Sequence, residues 1–213
     1  MTDNIADPWA EETNADDPWA TPEDVKSGGV FEPTPFLDSL AGRMVGMFPR
    51  KFEKDAPKRA DRIEAGGATT EERYTVDMAV LSGGELKFWY TDKKANDGEG
   101  ALVEHVVPAD EIPHLYTNVW RTEGNIIGAL RKVDGSARPA LLGVVRRGPQ
   151  APDRKAGKTA DDIEAAYAAW EARGKQGPKP KFSWIIDVNA VTAEMKASAS
   201  AWLRKATAEG FSI

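Results

Sequence analysis

The sequence predicts a mainly β fold with added α-helices and an acidic N-terminal arm. Two observations indicate the folded part: short apolar segments alternate with period two, and an apolar face with helical spacing lies near the C-terminus. A third observation indicates the arm, because residues 1–35 show no apolar periodicity. With 213 residues, 41% of them hydrophobic, the chain is long enough to bury one medium-sized core.

The arm differs in charge from the rest of the chain. Residues 1–35 contain nine acidic residues and one lysine, a net charge of −8, whereas the remainder has 25 acidic and 27 basic residues, a net charge of +2. Five prolines interrupt the arm, so we expect it to be disordered. The tetrapeptide Asp-Pro-Trp-Ala occurs in it twice, at residues 7–10 and 17–20, although a disordered segment cannot bury an indole.

Residues 36–213 are expected to form one domain, which begins with a curved strand at 43–48. A long charged loop follows, up to residue 73. Alternating apolar residues then predict a hairpin of strands 74–80 and 86–90, with a Ser-Gly-Gly turn between them.

Two further strands complete a barrel-like order. A short irregular helix is predicted at 109–121, and a second hairpin pairs strands 125–133 and 139–147 around Asp134-Gly135. The order is therefore three strands, one helix and two strands, with glycines that curve the strands. Five short, curved strands with a helix between the third and the fourth are typical of an oligonucleotide-binding (OB) barrel.

The chain changes character after the fifth strand. Residues 149–181 are predicted to be an insertion, made of two basic linkers and a helix that begins at Thr159 and ends near Gly174. A strand at 182–187 and a helix at 192–208 then close the domain. The apolar face of that last helix consists of Met195, Ala199, Trp202, Leu203 and Ala206.

No catalytic or metal-binding pattern stands out in the sequence. The chain has no cysteine, and the spacing of His105 and His114 does not suit a metal, so we expect both to be exposed or half-buried. Motifs of hydrolases, phosphate-binding loops and dinucleotide-binding folds are missing, which predicts a protein that is not an enzyme and needs no cofactor. The sequence has neither a secretory signal nor an apolar run of 18 residues, so we expect no membrane partner.

Basic segments near aromatic residues predict a site for single-stranded nucleic acid. In an OB barrel, the basic loops within 49–73 and 131–158 would converge on one groove, where cations follow phosphates and exposed rings stack on bases. Trp89 is the strongest ring candidate, because the alternation places it opposite Leu86 and Phe88. The alternatives are a Trp89 that packs at the end of the barrel or under the last helix, and basic loops that are merely solvated. The predicted DNA-binding residues are Arg50, Lys51, Phe52, Lys54, Lys58, Arg59, Arg62, Lys87, Trp89, Trp120, Arg131, Lys132, Arg146 and Arg147.

Four segments carry, by their order and spacing, a resemblance to a known family. They are GRMVGMFP at 42–49, YTVDMAVLSGG at 74–84, ALLGVVRRGP at 140–149 and FSWIIDVNAVTAEMKASASAWL at 182–203. Over residues 36–213 the chain resembles the OB-fold single-stranded DNA-binding proteins encoded by bacteriophages. The resemblance implies binding without sequence preference during phage DNA replication, recombination or repair, in the cytoplasm of the host bacterium and without a cofactor.

Two features depart from that family. Its members typically carry an acidic, partner-binding tail at the C-terminus, whereas this chain ends in KATAEGFSI and has its acidic arm first. The insertion at 149–181 is the second departure. We expect the arm either to mimic a single strand in the chain's own groove or to bind phage or host replication and recombination proteins; a purely solubilising tail is the third alternative. The arm residues predicted to act in this way are Asp7, Trp9, Asp16, Asp17 and Trp19.

The rival function is structural. In that alternative the chain is a non-enzymatic phage adaptor protein whose OB-like barrel and arm bind other proteins. The residues leave RNA as an alternative ligand and leave a homo-oligomer open.

Overall fold

A computed structural model describes residues 33–58, 63, 67–92, 100–136 and 140–209. Most of the predicted arm, as well as Arg59 and Arg62, therefore lies outside the described residues. The strands are β1 (Met44–Pro57), β2 (Thr70–Val80), β3 (Leu86–Asp92), β4 (Ala101–Val107), β5 (His114–Arg121), β6 (Leu141–Gly148) and β7 (Ser183–Asp187). The α-helices are α1 (Gly124–Val133), α2 (Ala151–Lys155), α3 (Ala160–Ala172) and α4 (Ala193–Ala208), and short 3-10 turns lie at Leu37–Leu40, Ala109–Glu111 and Val188–Ala190.

Five of the strands form one antiparallel sheet in the order β5-β2-β1-β6-β7. β3 and β4 form a separate antiparallel pair. The mainly β fold with added helices is thus confirmed. The closed barrel is not: β5 and β7 lie at opposite ends of the sheet, and closure requires them to pair with each other.

The sheet packs on both faces. Its inner face, with Val45 and Val76 among its buried residues, packs against α1 and the β3–β4 hairpin to form the main core. Its outer face packs against α4 near the start of β1, where Met44 and Phe48 meet Leu203. α4 covers only this part of the outer face, and the part toward the end of β1 carries mostly polar side chains.

The predicted first strand at 43–48 is too short. β1 continues to Pro57, so the first part of the predicted long loop is a strand paired with β2. The register shifts between Pro49 and Lys51 and again between Glu53 and Ala56, which marks bulges. Since a bulge breaks the period of two and charges occupy both faces, the sequence pattern does not reveal this half of the strand.

The predicted hairpin of 74–80 with 86–90 has the right strands and the wrong pairing. β2 pairs with β1 and β5, while β3 pairs with β4. Between them, Arg43 donates hydrogen bonds to the carbonyls of Gly84 (2.8 Å) and Glu85 (2.6 Å), and so holds the connection in a wide turn. Gly83 lies there at φ +103°, where an added Cβ would be 2.4 Å from Nη1 of Arg43.

Residues 109–133 exchange helix and strand relative to the prediction. The predicted helix at 109–121 is a 3-10 turn followed by β5, and the predicted strand at 125–133 is α1. Ile126, Ile127 and Leu130 are the buried residues of α1, and their spacing of one and four positions defines a helical face. Short apolar runs fit both periods, so sequence alone did not separate them.

The predicted C-terminal strand and helices are confirmed, whereas α2 lies where the first basic linker was predicted. α3 begins after Thr159, whose side chain forms a capping box with Asp162, and β7 lies within the predicted strand. α4 begins after Thr192, whose hydroxyl accepts a hydrogen bond from the amide of Met195 (3.2 Å). The predicted apolar face of α4 packs on the sheet, with Ala199, Leu203 and Ala206 buried and with Met195 and Trp202 against the outer-face core.

Candidate nucleic-acid interface

The second half of β1, the first half of β2 and the end of β5 meet at one end of the sheet, which we call the distal end. In this region Lys51 pairs with Thr75, and Thr75 pairs on its other side with Trp120. The C-terminal turn of α1 reaches the same end, where the guanidinium of Arg131 lies over Phe52. The predicted DNA-binding residues that lie at the distal end are Arg50, Lys51, Phe52, Lys54, Lys58, Trp120, Arg131 and Lys132.

Trp120 lies on the outer face of the distal end and is 56% exposed. The guanidinium of Arg73, on the neighbouring strand β2, lies 4.1 Å from the centroid of its ring. Glu53 of β1 in turn accepts two hydrogen bonds from Arg73, at 3.1 Å from Nε and 2.8 Å from Nη2. The hydrogen bonds from Arg73, followed by one from Lys51, lower the pKa of Glu53 below its ordinary value. This stack of carboxylate, guanidinium and indole holds an exposed ring in a defined orientation.

Asp77 fixes the shape of the outer face beside this stack. Its buried carboxylate accepts a hydrogen bond from Nε of Arg50 (2.8 Å) and lies 2.7 Å from Nη2 of the same guanidinium. It also accepts a hydrogen bond from the backbone amide of Asn118 (3.0 Å), a residue at φ +56° in the left-handed region. One carboxylate therefore ties three neighbouring strands together, and its loss would leave Arg50 without this partner.

Arg131 and Phe52 meet on the inner side of the distal end. The guanidinium lies 4.7 Å from the ring centroid, and Nη2 is 2.6 Å from Oε1 of Glu72. Phe52 also contacts the ring of Tyr74, at 4.9 Å between centroids. The hydroxyl of Tyr74 donates to Asp134 (2.9 Å); burial, reinforced by this hydrogen bond, raises the pKa of Tyr74 to about 12. Phe52 is thus half-buried packing rather than an open stacking ring.

Arginines and lysines have different surroundings at the distal end. Arg50, Arg73 and Arg131 each have a carboxylate partner: Asp77, Glu53 and Glu72 respectively. The lysines project toward solvent instead: the side chain of Lys51 is 67% exposed, and its contact with Glu53 (3.3 Å) is of the exposed kind that contributes little stability. The other two exposed lysines of this region are Lys54 and Lys132. The arginines therefore position the surface, and the lysines are available to phosphates. We call Arg50, Lys51, Arg73 and Trp120 the Trp120 surface.

Trp89 belongs to a different surface. The predicted alternation is confirmed: Leu86 and Phe88 are buried in the main core, whereas the ring of Trp89 is 53% exposed on the outer side of the β3–β4 hairpin. Its direct partner on β4 is the exposed Glu104, and the exposed apolar residues diagonal to it on the same face are Leu102 and Val106. We call Lys87, Trp89, Leu102 and Val106 the Trp89 surface.

The Trp89 and Trp120 surfaces lie on opposite sides of the main core. The neighbours of the two tryptophans, Phe88 on the hairpin and Val119 on β5, both point into that core from opposite directions. One short strand of nucleic acid cannot stack on both rings at once. Lys87, the predicted cation on the hairpin, is 2.8 Å from Glu85, whose hydrogen bond raises the pKa of the lysine.

Arg146 and Arg147 lie at the other end of the sheet. β1 and β6 are antiparallel, and Met44 pairs with Val144. Lys51 lies beyond this pair in one direction and Arg147 lies beyond it in the other. The separation between Lys51 and Arg147 is therefore about 30 Å at 3.3 Å per residue. Arg131 lies beside Phe52 of the first predicted basic loop, although on the inner side of the sheet, and the predicted convergence is therefore wrong for Arg146 and Arg147.

Arg146 and Arg147 hold α3, which lies within the predicted insertion, in place. Arg146 bonds to Asp161 and to Asp187 (3.0 Å), and these partners raise its pKa. Arg147 donates to Glu164 (2.9 Å) and lies 3.9 Å from the ring centroid of Tyr167. Both arginines thus attach α3 to the sheet.

Several predicted site residues lie outside the described residues. They are Arg59, Arg62, Asp7, Trp9, Asp16, Asp17 and Trp19. His105 and His114 are described and are half-buried, with His105 beside Phe88 (5.0 Å between centroids) and His114 beside Tyr116 (4.7 Å). In the described part of the chain, His, Asp and Glu side chains do not form a group of three that could hold a metal ion. None of the described helices combines the length and apolar character needed to cross a membrane.

Arg73, Glu53 and Asp77 are site residues that the sequence did not predict. A signal was present: the apolar alternation of Tyr74, Val76 and Met78 in β2 implies that the residues between them face the other way. Arg73 and Asp77 therefore had to share the outer face. What they contact there depends on β1 and β5, whose pairing the sequence did not reveal.

Comparison of the chain with family models, with curated proteins and with solved structures finds no match. The resemblance to phage single-stranded DNA-binding proteins stays a prediction.

Proposed function

We propose that the chain binds single-stranded DNA without sequence preference, with the Trp120 surface as its main contact. The observation that carries the proposal is the exposed Trp120 ring, held by Arg73 and Glu53 beside the exposed Lys51. A base that stacks on such a ring gains about 1–3 kcal/mol, and every base has a face on which to stack. The surface therefore favours unpaired strands and does not distinguish their sequence.

Bases in a duplex already stack on each other and do not present a free face.

The proposed role is protection of single strands during phage DNA replication, recombination or repair in the cytoplasm of the host bacterium. The role involves neither catalysis nor a cofactor. In this role the acidic arm either competes with DNA for the Trp120 surface or recruits replication and recombination proteins.

A mobility-shift titration with labelled oligo-dT and with a duplex of equal length tests the proposal. We expect binding of the single strand to be tighter and to weaken as salt rises, because phosphate contacts release counterions. Equal or tighter binding of the duplex would contradict it. So would the absence of single-strand binding at low salt.

The Trp89 surface favours a second candidate function, that of an adaptor which binds another protein. Trp89, Leu102 and Val106 are exposed apolar residues around Glu104 on a two-stranded sheet, and such exposed apolar side chains favour a protein contact. Failure of the oligo-dT titration would favour this candidate.

A further inference from the structure

The segment 173–181 is the most basic stretch of the insertion. Its sequence, RGKQGPKPK, contains Arg173, Lys175, Lys179 and Lys181 and no acidic residue. All four side chains belong to exposed residues, and within the described part of the chain none of them forms an ion pair. We call this stretch the basic segment. It contrasts with Arg146 and Arg147, whose charges are matched by carboxylates.

The basic segment is fixed to α3 rather than extended away from it. The indole Nε1 of Trp170 donates a hydrogen bond to the carbonyl of Gly177 (3.3 Å), and Gly174 and Gly177 lie at φ +64° and +80° in the turn. Pro178 and Pro180 then restrict the backbone on either side of Lys179 to extended conformations. The cations therefore have a constrained arrangement.

Aromatic rings lie directly beside these cations. The ammonium of Lys179 is 5.6 Å from the ring centroid of Tyr167 and 5.8 Å from that of Phe182. Tyr167 and Phe182 are half-buried and contact each other edge to face (5.6 Å between centroids). Like Phe52, these two rings are packed rather than open, so they hold Lys179 in position while its charge stays without a carboxylate partner among the described residues.

We propose that the basic segment is a second contact for the same single strand that binds the Trp120 surface. This inference rests on the proposed function and gives the insertion a role in it. Four cations without carboxylate partners attract a polyanion, whereas the charges of Arg146 and Arg147 are already matched by carboxylates. The contact lengthens the binding site without adding sequence preference.

The distance between the two contacts makes the proposal testable by length. Lys51 and Arg147, whose guanidinium lies against Tyr167, are about 30 Å apart along the strands. This span corresponds to about nine nucleotides at the stacked spacing of 3.4 Å and to fewer in an extended strand. An oligo-dT of about four nucleotides, the smallest site size of OB proteins, reaches only one contact, and one of about sixteen reaches both.

The test compares two double variants of the full chain that remove the same number of charges. Lys179→Gln with Lys181→Gln changes the basic segment, and Arg204→Gln with Lys205→Gln changes the exposed side of α4. Affinity for the two oligonucleotides is measured by fluorescence titration over a range of salt concentrations. For the longer one, we expect the first variant to lower the slope of log K against log salt by about 1.4, that is 0.7 per lost phosphate contact. The shorter one should bind unchanged, and the α4 variant should match the wild type with both.

Three results would overturn the inference, and they are distinguishable. An unchanged slope with the longer oligonucleotide, while the wild type binds it, removes the second contact and leaves the proposed function intact. A wild type that binds neither oligonucleotide removes the proposed function and the inference with it. If the slope is unchanged but a synthetic peptide of residues 1–32 binds the wild type and not the Lys179/Lys181 variant, the basic segment takes an acidic peptide instead. Thermal unfolding of each variant confirms that it is folded.

Discussion

Trp120 and Trp89 are exposed to nearly the same extent, 56% and 53%, yet they lie in different environments. Trp120 lies on a five-stranded sheet, against a guanidinium that is itself held by a carboxylate. Trp89 lies on a two-stranded sheet, next to exposed Leu102 and Val106. Exposure alone therefore does not define what a ring binds.

The difference lies in the neighbours that each sheet brings to the ring. A cation stacked on an indole and an exposed lysine beside it suit a base and its phosphate. Trp89 has a carboxylate, Glu104, directly across the pair and aliphatic side chains on the diagonals. The aliphatic side chains suit a protein partner, and the carboxylate repels phosphate. The two rings thus represent the two candidate functions, nucleic-acid binding and protein binding, and experiments that separate the rings also separate the functions.

The largest expected effect is that of Trp120→Ala on oligo-dT binding. We expect a loss of about 1–3 kcal/mol, or roughly 5- to 150-fold in Kd, because one stacked base is lost. Trp89→Ala is the matched control and should leave Kd unchanged. Fluorescence titration measures both. The reverse result, with only Trp89→Ala weakening binding, would transfer the interface to the hairpin, where the sequence placed it.

A second comparison uses Lys51 and Lys87, two exposed lysines that each lie near a glutamate. Lys51→Gln should lower the salt slope of oligo-dT binding by about 0.7, the effect of one phosphate contact. Lys87→Gln should not change it. Equal slopes for the two variants would argue against phosphate binding at the Trp120 surface.

Deleting residues 1–35 removes a charge of −8 and leaves a chain at +2. We expect tighter oligo-dT binding at low salt. Part of this gain comes from the long-range electric field of the arm. Added salt should diminish that part, because charges more than about 10 Å apart are screened at 0.1 M. The variant with Trp9→Ala and Trp19→Ala retains every charge of the arm. If the arm competes through its rings, this variant alone binds DNA more tightly; if the rings serve partner proteins, its DNA affinity equals that of the wild type.

The smallest expected effect is a pH dependence of the Trp120 environment. Because the pKa of Glu53 in the folded chain is lowered below 4.5, the bond to Arg73 is fully present above that pH and is lost as pH falls through the lowered pKa. The fluorescence difference between wild type and Trp120→Phe should therefore stay constant from pH 7 to 5 and change only at lower pH. In the Glu53→Gln background, the same fluorescence difference should not change at low pH. If the difference changes between pH 7 and 5 instead, a group other than Glu53 controls the Trp120 environment.

The confirmed predictions depended on local patterns. The alternation in β3 correctly placed Phe88 inside and Trp89 outside. Capping residues Thr159 and Thr192 correctly placed the starts of α3 and α4. The errors arose where a local pattern had two solutions, as in α1, or where bulges broke the period, as in the second half of β1.

The sequence by itself determined which residues face the core in segments with one clear period, such as β3 and α4, because that information repeats every two or every 3.6 residues. Only the tertiary structure decided which strands are neighbours. The contacts of the Trp120 surface join residues far apart in the chain: Glu53 with Arg73, Arg50 with Asp77, and Arg73 with Trp120. The same is true of Arg147, which the sequence assigned to DNA and the fold pairs with Glu164. Periodicity specifies a face and not a partner, so a site built from side chains of several strands becomes visible only once those strands are paired.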